Sequence, residues 1–216
     1  TVTLNIGIAL VVAQMISWFK SNKVRSFFRM VFFLPCIAPM VATSVVFARS
    51  IFPTTTGFLN VALNKIGIDS INWLEIEVVM ISLIIYTIWV DVGYNVILFS
   101  AGIDGIPSYV YEAADLDGAS EWVKFRKITW PLLGRSFQFV IVQTLISHFQ
   151  MFAQFAVAIL KDGPQNSGLV LSRYIYKMAF EYKDMGYASA VSLVLFVIIM
   201  TLSLIEQKKS AVDWEY

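Results

Sequence analysis

Four polar side chains recur at helical spacing inside an otherwise apolar stretch of the sequence. Gln143, Ser147, Gln150 and Gln154 are separated by four, three and four positions, so a helix would carry them on one face. An amide group both donates and accepts hydrogen bonds, which suits a solute with many hydroxyl groups. The same stripe could instead hold two membrane helices together through hydrogen bonds. The sequence therefore predicts either a solute-contacting surface or a helix-to-helix contact at this stripe.

A second polar pair lies in an apolar run earlier in the chain. Asp91 sits well inside this run, and Asn95 follows one turn later on the same helical face. A carboxylate is costly in lipid, so Asp91 is expected to face a solute path or a basic residue of another subunit, unless the helix carries it beyond the bilayer. Asp91 and Asn95 are therefore candidate path residues. The single histidine, His148, has no accompanying cluster of metal ligands, and we predict no metal site, no cofactor and no catalytic group.

The chain that carries these side chains is far more apolar than a soluble domain. Hydrophobic residues make up 58% of its 216 residues and charged residues 14%, and several stretches lack the polar face that a soluble helix needs. Apolar runs of about 20 residues indicate membrane-spanning helices. Five such runs are present: Val2 to Phe19, Val31 to Phe52, Val78 to Ile103, Phe137 to Leu160 and Tyr187 to Ile205.

We therefore predict an all-α membrane protein in which residues 1–216 form a single transmembrane domain. Because the first apolar run is already under way at Thr1, we expect one or more amino-terminal helices to be missing. A formal net charge of +1 gives no basis for nucleic-acid binding, which needs a dense basic surface.

Lysine and arginine residues collect at alternate connections between the predicted spans, and positive charge near the ends of spans marks the cytoplasmic side. The basic residues after the first span, after the third span and in the tail are Lys20, Lys23, Arg25, Arg29, Lys124, Arg126, Lys127, Arg135, Lys208 and Lys209. The last outer segment also carries basic residues, which are Lys161, Arg173, Lys177 and Lys183. On balance the connection after the third span and the carboxyl terminus are predicted to be cytoplasmic.

The connection between the third and fourth spans, residues 105–135, is polar and far longer than a tight turn requires. Ser108 is placed to cap a first helix, and Gly118 is placed to stop it. A second helix fits Ser120 to Ile128, with Pro131 marking its end. This pattern predicts a rigid helix, turn and helix unit displayed to the cytosol, although an ordinary solvated connection would have the same helix propensity.

The residue types at fixed positions in this connection resemble the EAA signature of binding-protein-dependent ABC transporter permeases. The matching positions are Glu112, Ala113, Ala114, Asp117, Gly118, Ala119, Phe125, Ile128, Pro131 and Leu132. We refer to residues 105–135 as the EAA loop. The resemblance is greatest to the sugar-permease branch and extends to Phe28, Arg29, Leu34, Pro35, Gly57, Asn60, Leu63, Gly67, Asn72, Trp73, Leu74, Trp89, Gly93 and Tyr94. Lys161, Asp162 and Trp130 depart from the pattern of that branch.

The resemblance implies a core of an importer permease in the bacterial inner membrane, crossed several times by the chain. It implies that the first helix of the EAA loop contacts a cytoplasmic ABC ATPase dimer, through Glu112, Ala113, Ala114, Asp117, Gly118 and Ala119. It also implies a second, related permease subunit and an extracytoplasmic binding protein that delivers a carbohydrate, with a di- or oligosaccharide favoured. The chain has no GxxxxGK[ST] loop, so ATP hydrolysis is expected of the partner and not of this chain.

A different class of function remains open from the residues alone. A secondary transporter driven by an ion gradient would also cross the membrane several times. Such a transporter needs paired ionisable groups in its spans and usually a repeated architecture, whereas Asp91 and His148 stand apart in the sequence and no repeat is visible. The residues therefore favour the ATP-driven importer.

Overall fold

A computed structural model describes residues 1–151 and 164–209, and within these residues the chain forms helices and turns without a strand. The helices are α1 Val2–Ser17, α2 Asn22–Ile37, α3 Met40–Val46, α4 Phe58–Lys65, α5 Val79–Asp104, α6 Ser108–Leu116, α7 Glu121–Lys124, α8 Trp130–Leu132, α9 Gly134–Phe149, α10 Leu171–Tyr176 and α11 Met185–Lys209. Wider π-helical turns continue α3, α7 and α10 over Phe47–Ile51, Phe125–Thr129 and Lys177–Glu181. The prediction of an all-α protein is confirmed.

The two long helices are those that the longest apolar runs predicted. Among the described residues, α5 and α11 are each long and apolar enough to cross a membrane. The predicted bounds of the third and fifth spans lie within a few residues of α5 and α11. The first predicted span is found as α1, which is apolar but has 16 residues.

The second predicted span, Val31 to Phe52, is wrong as a single straight helix. In the structure α2 begins earlier, at Asn22, and ends at Ile37, and α3 begins only at Met40. The break falls at Ala38 and Pro39, because proline lacks an N–H group and disfavours helical geometry at the residue before it. The pair, extended to Ile51, satisfies the length and apolarity of a membrane span only as a bent pair.

The fourth predicted helix, Phe137 to Leu160, is also interrupted. Helix α9 starts at Gly134 and ends at Phe149, which leaves Gln150 and Met151 outside it, and residues 152–163 lie outside the described part of the chain. The hydroxyl of Ser172 donates a hydrogen bond of 2.5 Å to the Met151 carbonyl, and Thr87 Oγ1 lies 3.4 Å from the Met151 sulfur. The first contact supplies the Met151 carbonyl with a donor, and the second holds the Met151 side chain beside α5.

One compact unit of the chain consists of Ile37–Val90 and Ser147–Met200, together with Thr1. Its core is aromatic: Phe47 contacts Tyr86 and Phe52 edge-on, with ring centroids 5.0 and 5.5 Å apart. Asn60 is fully buried beside this core, where its Oδ1 accepts hydrogen bonds of 3.0 Å from the Ile71 amide and from the Trp73 indole. The buried amide therefore fixes the connection between α4 and α5.

The other compact unit consists of Val2–Cys36, Asp91–Ile146 and residues 201–209. Three of its helices meet at a buried polar contact. Asn95 of α5, which is 3% exposed, donates hydrogen bonds of 2.8 Å to Asn5 Oδ1 of α1 and 2.9 Å to Thr144 Oγ1 of α9. Nearby, a Cβ atom at Gly93 would lie 1.9 Å from the Phe32 carbonyl oxygen, so only glycine allows α5 to approach α2 this closely.

Replacement of Asn95 by alanine tests the polar contact among α1, α5 and α9. Asn95→Ala leaves Asn5 Oδ1 and Thr144 Oγ1 buried without this donor. We expect a loss of about 1–2 kcal/mol in the free energy of unfolding, measured as a lower midpoint of thermal unfolding in detergent. Asn64→Ala, at an exposed asparagine, serves as the control. Equal midpoints for the two variants would contradict the prediction.

Candidate functional site

The first helix of the EAA loop ends in a left-handed glycine turn. Gly118 has φ +71°, and its amide donates to the Asp115 carbonyl at 3.0 Å. The next amide, that of Ala119, reaches back to the Ala114 carbonyl at 2.9 Å. These two bonds form a Schellman motif, in which the last carbonyls of α6 find donors that the helix itself cannot supply. The structure therefore confirms Gly118 as the helix stop that the sequence predicted.

The predicted start of this helix is wrong by one residue. Ser108 is the first helical residue, and the capping position belongs to Pro107, whose φ of −59° and ψ of 135° are extended. No side chain provides a cap hydrogen bond at this end. Proline takes the capping position because its fixed φ and missing N–H cost nothing before the first turn.

The second half of the EAA loop also differs from the prediction. Ser120 caps α7, and its hydroxyl accepts a hydrogen bond of 3.4 Å from the Val123 amide. The helical path does not stop at Pro131 but continues through the π-helical turn Phe125–Thr129 into α8. The Trp130 amide closes that turn on the Phe125 carbonyl. The wider turn is thus complete before Pro131, where no N–H group is available.

A buried lysine holds the two halves of the EAA loop together. Lys124 of α7 is 8% exposed, and its ammonium contacts the carboxylates of Asp115 on α6 and of Glu121, the latter at 2.6 Å. The hydrogen bonds to Asp115 and Glu121 raise the pKa of Lys124, so the ammonium is charged at neutral pH. A second tie joins Tyr111 Oη to Thr129 Oγ1 at 2.9 Å, and burial raises the pKa of the Tyr111 phenol. Spacing in the sequence did not indicate either tie.

The outward face of α6 carries Tyr109 and Leu116, and Glu112 lies at its edge, where it also lines the cavity beside the loop. Leu116 is 91% exposed and Tyr109 is 68% exposed. Glu112 and Ala113 lie exposed between them, and Glu112 has no hydrogen-bond or ion-pair partner within residues 1–151 and 164–209. Ala114 and Ala119 are half-buried, and Asp117 is exposed at the end of the helix. Leu116 and Tyr109 therefore leave apolar area exposed on this face.

A cavity of about 890 Å³ lies beside the EAA loop within the same compact unit. On one side it is lined by residues at the end of α1 and the start of α2, including Ser17, Arg25 and Arg29. On the other side it is lined by residues of α6 and α7, including Glu112 and Lys124. The cavity therefore lies between the loop and the region where α1 ends and α2 begins.

The predicted path residues lie in different environments. Asn95 is buried in the contact with Asn5 and Thr144, whereas Asp91, four residues earlier, is half-buried. Gln143 is half-buried and Ser147 is exposed on α9. Gln150 is exposed in the turn after α9. The helical spacing of the stripe therefore holds from Gln143 to Ser147 and ends before Gln150, while Gln154 lies outside the described residues.

Comparison with known proteins finds a match along nearly the whole chain. The family described as "Binding-protein-dependent transport system inner membrane component" matches residues 5–207. The arabinooligosaccharides transport system permease protein AraP of Bacillus subtilis is 33% identical over 192 residues, which are 88% of this chain and 61% of AraP. The lactose transport system permease protein LacF of Rhizobium radiobacter is 34% identical over 212 residues, which are 95% of this chain and 70% of LacF.

The fold is also that of a solved transporter. The crystal structure of a bacterial alginate ABC transporter, in complex with an alginate pentasaccharide-bound periplasmic protein, superposes with a TM-score of 0.84. The match covers 97% of this chain and 73% of the solved chain at 23% identity, so it concerns the fold alone. The chain spans 61 to 65% of the length of the first relatives that it matches.

Replacement of Gly118 by alanine tests the left-handed turn of the EAA loop. A Cβ atom at Gly118 would meet nothing within 4 Å, so the cost of Gly118→Ala comes from its φ of +71° alone. We expect Gly118→Ala to lower the local stability of the turn by about 1 kcal/mol. This loss corresponds to roughly fivefold faster amide hydrogen exchange in residues 114–120. Gly134→Ala is the matched control, because Gly134 also has open space but no positive φ. Unchanged exchange in Gly118→Ala would contradict the prediction.

Proposed function

Because the chain belongs to the family of binding-protein-dependent transport system inner membrane components, we propose that it is a permease subunit of an ATP-binding-cassette importer for a carbohydrate. In this proposal the chain forms half of the membrane path, a second permease forms the other half, and a separate ATPase pair drives the cycle. The observation that carries the proposal is the EAA loop. Its first helix ends in a hydrogen-bonded glycine turn, and its outward face is exposed.

The outward face of α6 is the proposed contact with the ATPase. Leu116 and Tyr109 offer exposed apolar area, and Glu112 offers a carboxylate without a partner among the described residues. The Schellman turn at Gly118 and the ion pairs of Lys124 with Asp115 and Glu121 tie α6 to α7. A displacement of α6 by the ATPase would therefore move the whole EAA loop. Ala113, Ala114, Asp117 and Ala119 complete the proposed coupling surface, with small side chains that permit close approach of another chain.

The distribution of positive charge supports the orientation. The EAA loop and the end of α11 carry lysine and arginine clusters, so the proposal puts both on the cytoplasmic side of a bacterial inner membrane. On the opposite side an extracytoplasmic binding protein would deliver the solute. The solved alginate transporter of the same fold was crystallised with such a periplasmic protein.

The named relatives support a proposal for the class of solute. AraP belongs to an arabinooligosaccharide system and LacF to a lactose system, and the transporter of similar fold carries alginate. These solutes share many hydroxyl groups on two or more sugar rings. We therefore infer a di- or oligosaccharide as the solute class, recognised through hydrogen bonds to amides and hydroxyls.

The proposed solute path uses the polar groups that the protein leaves accessible. Gln143, Ser147 and Gln150 are exposed or half-buried, and Asp91 is half-buried. The amide hydrogens of Asn95 are occupied by Asn5 and Thr144, which supports a role in holding the path-lining helices in place. Gln154 remains a proposed path residue on the strength of its spacing alone.

Reversal of the charge at position 112 tests the contact with the ATPase. For Glu112→Lys we expect membrane insertion to be unchanged, ATPase co-purification to fall at least about tenfold, as for a central interface residue, and uptake to be lost. Glu77→Lys, at an exposed carboxylate outside the EAA loop, is the control and should behave as wild type. Normal co-purification and uptake in Glu112→Lys would remove the proposed contact.

Substitution of Gln143 tests the path separately from the ATPase contact. Gln143→Leu keeps the size of the side chain but removes its hydrogen-bonding groups. We expect the KM for uptake to rise about tenfold, since a lost polar contact with a hydroxyl costs roughly 1–2 kcal/mol, while ATPase co-purification stays normal. Gln207→Leu, near the end of α11, is the control. The labelled solute is lactose or arabinotriose, whichever stimulates ATP hydrolysis. An unchanged KM in Gln143→Leu would exclude Gln143 from the solute path.

A further inference from the structure

Three charged side chains meet where α5 ends beside α2. Asp104 is the last residue of α5, and its Oδ2 lies 2.8 Å from a terminal guanidinium nitrogen of Arg29. Arg25, one turn earlier on α2, approaches the other carboxylate oxygen at 3.9 Å. The side chains of Arg29 and Asp104 are 23% and 41% exposed, so solvent screens this pair less than it screens an open surface pair.

Arg25 also ties the cluster to the first helix. Its Nε donates to the Phe19 carbonyl and a terminal nitrogen donates to the Ser17 carbonyl, each at 2.6 Å. These carbonyls lie at the end of α1, where the helix has no amides left to bond them. The three charged residues therefore join the ends of α1 and α5 to the first turns of α2.

The cluster also lies at the start of the EAA loop. Only Gly105, Ile106 and Pro107 separate Asp104 from α6, and Ile106 is buried at 9% exposure. Beyond this short link the cavity of about 890 Å³ opens between α6 and the first two helices. The loop is thus held close to α2 at one end, while the adjoining part of α6 faces open space.

We propose that Asp104 is a positioning residue, whose ion pair with Arg29 holds the root of the EAA loop to α2 so that displacement of α6 moves α1 and α2. This inference rests on the proposed function, because it concerns how the stroke of an ATPase reaches the membrane helices. It differs from the contact at Glu112, which receives the stroke. The ion pair is the mechanical link between α6 and the first two helices. Without it, α6 would move into the cavity and α1 and α2 would not move with it.

The chemistry of Arg29 explains why the pair stays closed. Its Nε is buried and has no hydrogen-bond partner within the described residues, so the guanidinium already has one donor unpaired. Loss of Asp104 would leave this half-buried cation with still fewer partners. The 2.8 Å ion pair therefore resists separation of α5 from α2 during a movement of the loop.

The test uses the complete transporter, with its ATPase and binding protein, reconstituted in proteoliposomes. The variants are Asp104→Asn, Arg29→Gln, the double variant and the conservative Asp104→Glu, with Asp69→Asn as a control at an exposed carboxylate in the other compact unit. Three quantities are measured: the amount of co-purified ATPase, the midpoint of thermal unfolding, and the solute taken up per ATP hydrolysed. The solute is labelled lactose or arabinotriose, whichever stimulates ATP hydrolysis in the wild-type transporter.

We expect Asp104→Asn and Arg29→Gln to keep their ATPase but to lower the uptake per ATP by about fivefold, the lower range of coupling between sites. The double variant should be no worse than the poorer single variant, because both remove the same pair. Asp104→Glu should restore most of the ratio, and Asp69→Asn should not change it. If one single variant fails to insert, the other reports on the same pair.

Two results would overturn the inference, and they differ from failure of the proposed function. An unchanged uptake per ATP in both single variants would remove the role of Asp104 while the importer stands. Asn95→Ala provides the second result. If it loses as much thermal stability as the Asp104 and Arg29 variants and lowers the uptake per ATP as much as they do, the effect reflects general stability and not this ion pair. A wild-type preparation without any co-purified ATPase would instead overturn the proposed function. It would also remove the role proposed for the pair of Asp104 and Arg29.

Discussion

The constraint on which the structure depends is that polar groups in a membrane protein must find partners within the chain. Lipid supplies no hydrogen bonds, so each buried amide, carbonyl and side chain must be paired where the helices meet. Asn95 joins three helices in this way, and Asn60 performs the same task beside an aromatic core. The same requirement acts at helix ends, where Arg25 bonds the Ser17 carbonyl of α1 and the Phe19 carbonyl just beyond it. Helix positions are consequently set by a few polar contacts amid a large apolar surface.

Much of the fold could be predicted from the sequence, because its signals are local. The apolar runs predicted α5 and α11, and Gly118 marked a turn that only a residue tolerant of positive φ forms easily. Pro39 and Pro131 show the limit of such signals. The first breaks a predicted span, whereas the second is absorbed by a π-helical turn, and a rule based on proline alone treats both alike.

The features that escaped prediction depend on residues far apart in the sequence. The sequence has no glycine or proline at the end of α9 to predict where the helix stops. Just beyond that end, Ser172 donates a hydrogen bond to the carbonyl of Met151. The pairing of Asp104 with Arg29 spans most of the first half of the chain, and no spacing rule connects them. For the candidate site, the signature residues predicted where a surface would be, while the contacts that stiffen it became visible only once the helices were packed.

The ties that stiffen the EAA loop are all short-range along the chain. The longest joins Tyr111 to Thr129, 18 residues apart, and the Schellman bonds span five residues or fewer. Closing such small loops costs little conformational entropy and requires no contact with distant helices. The loop can therefore acquire its final shape during synthesis, before α11 has left the ribosome. The surface proposed to contact the ATPase would then be complete while the membrane part is still being built.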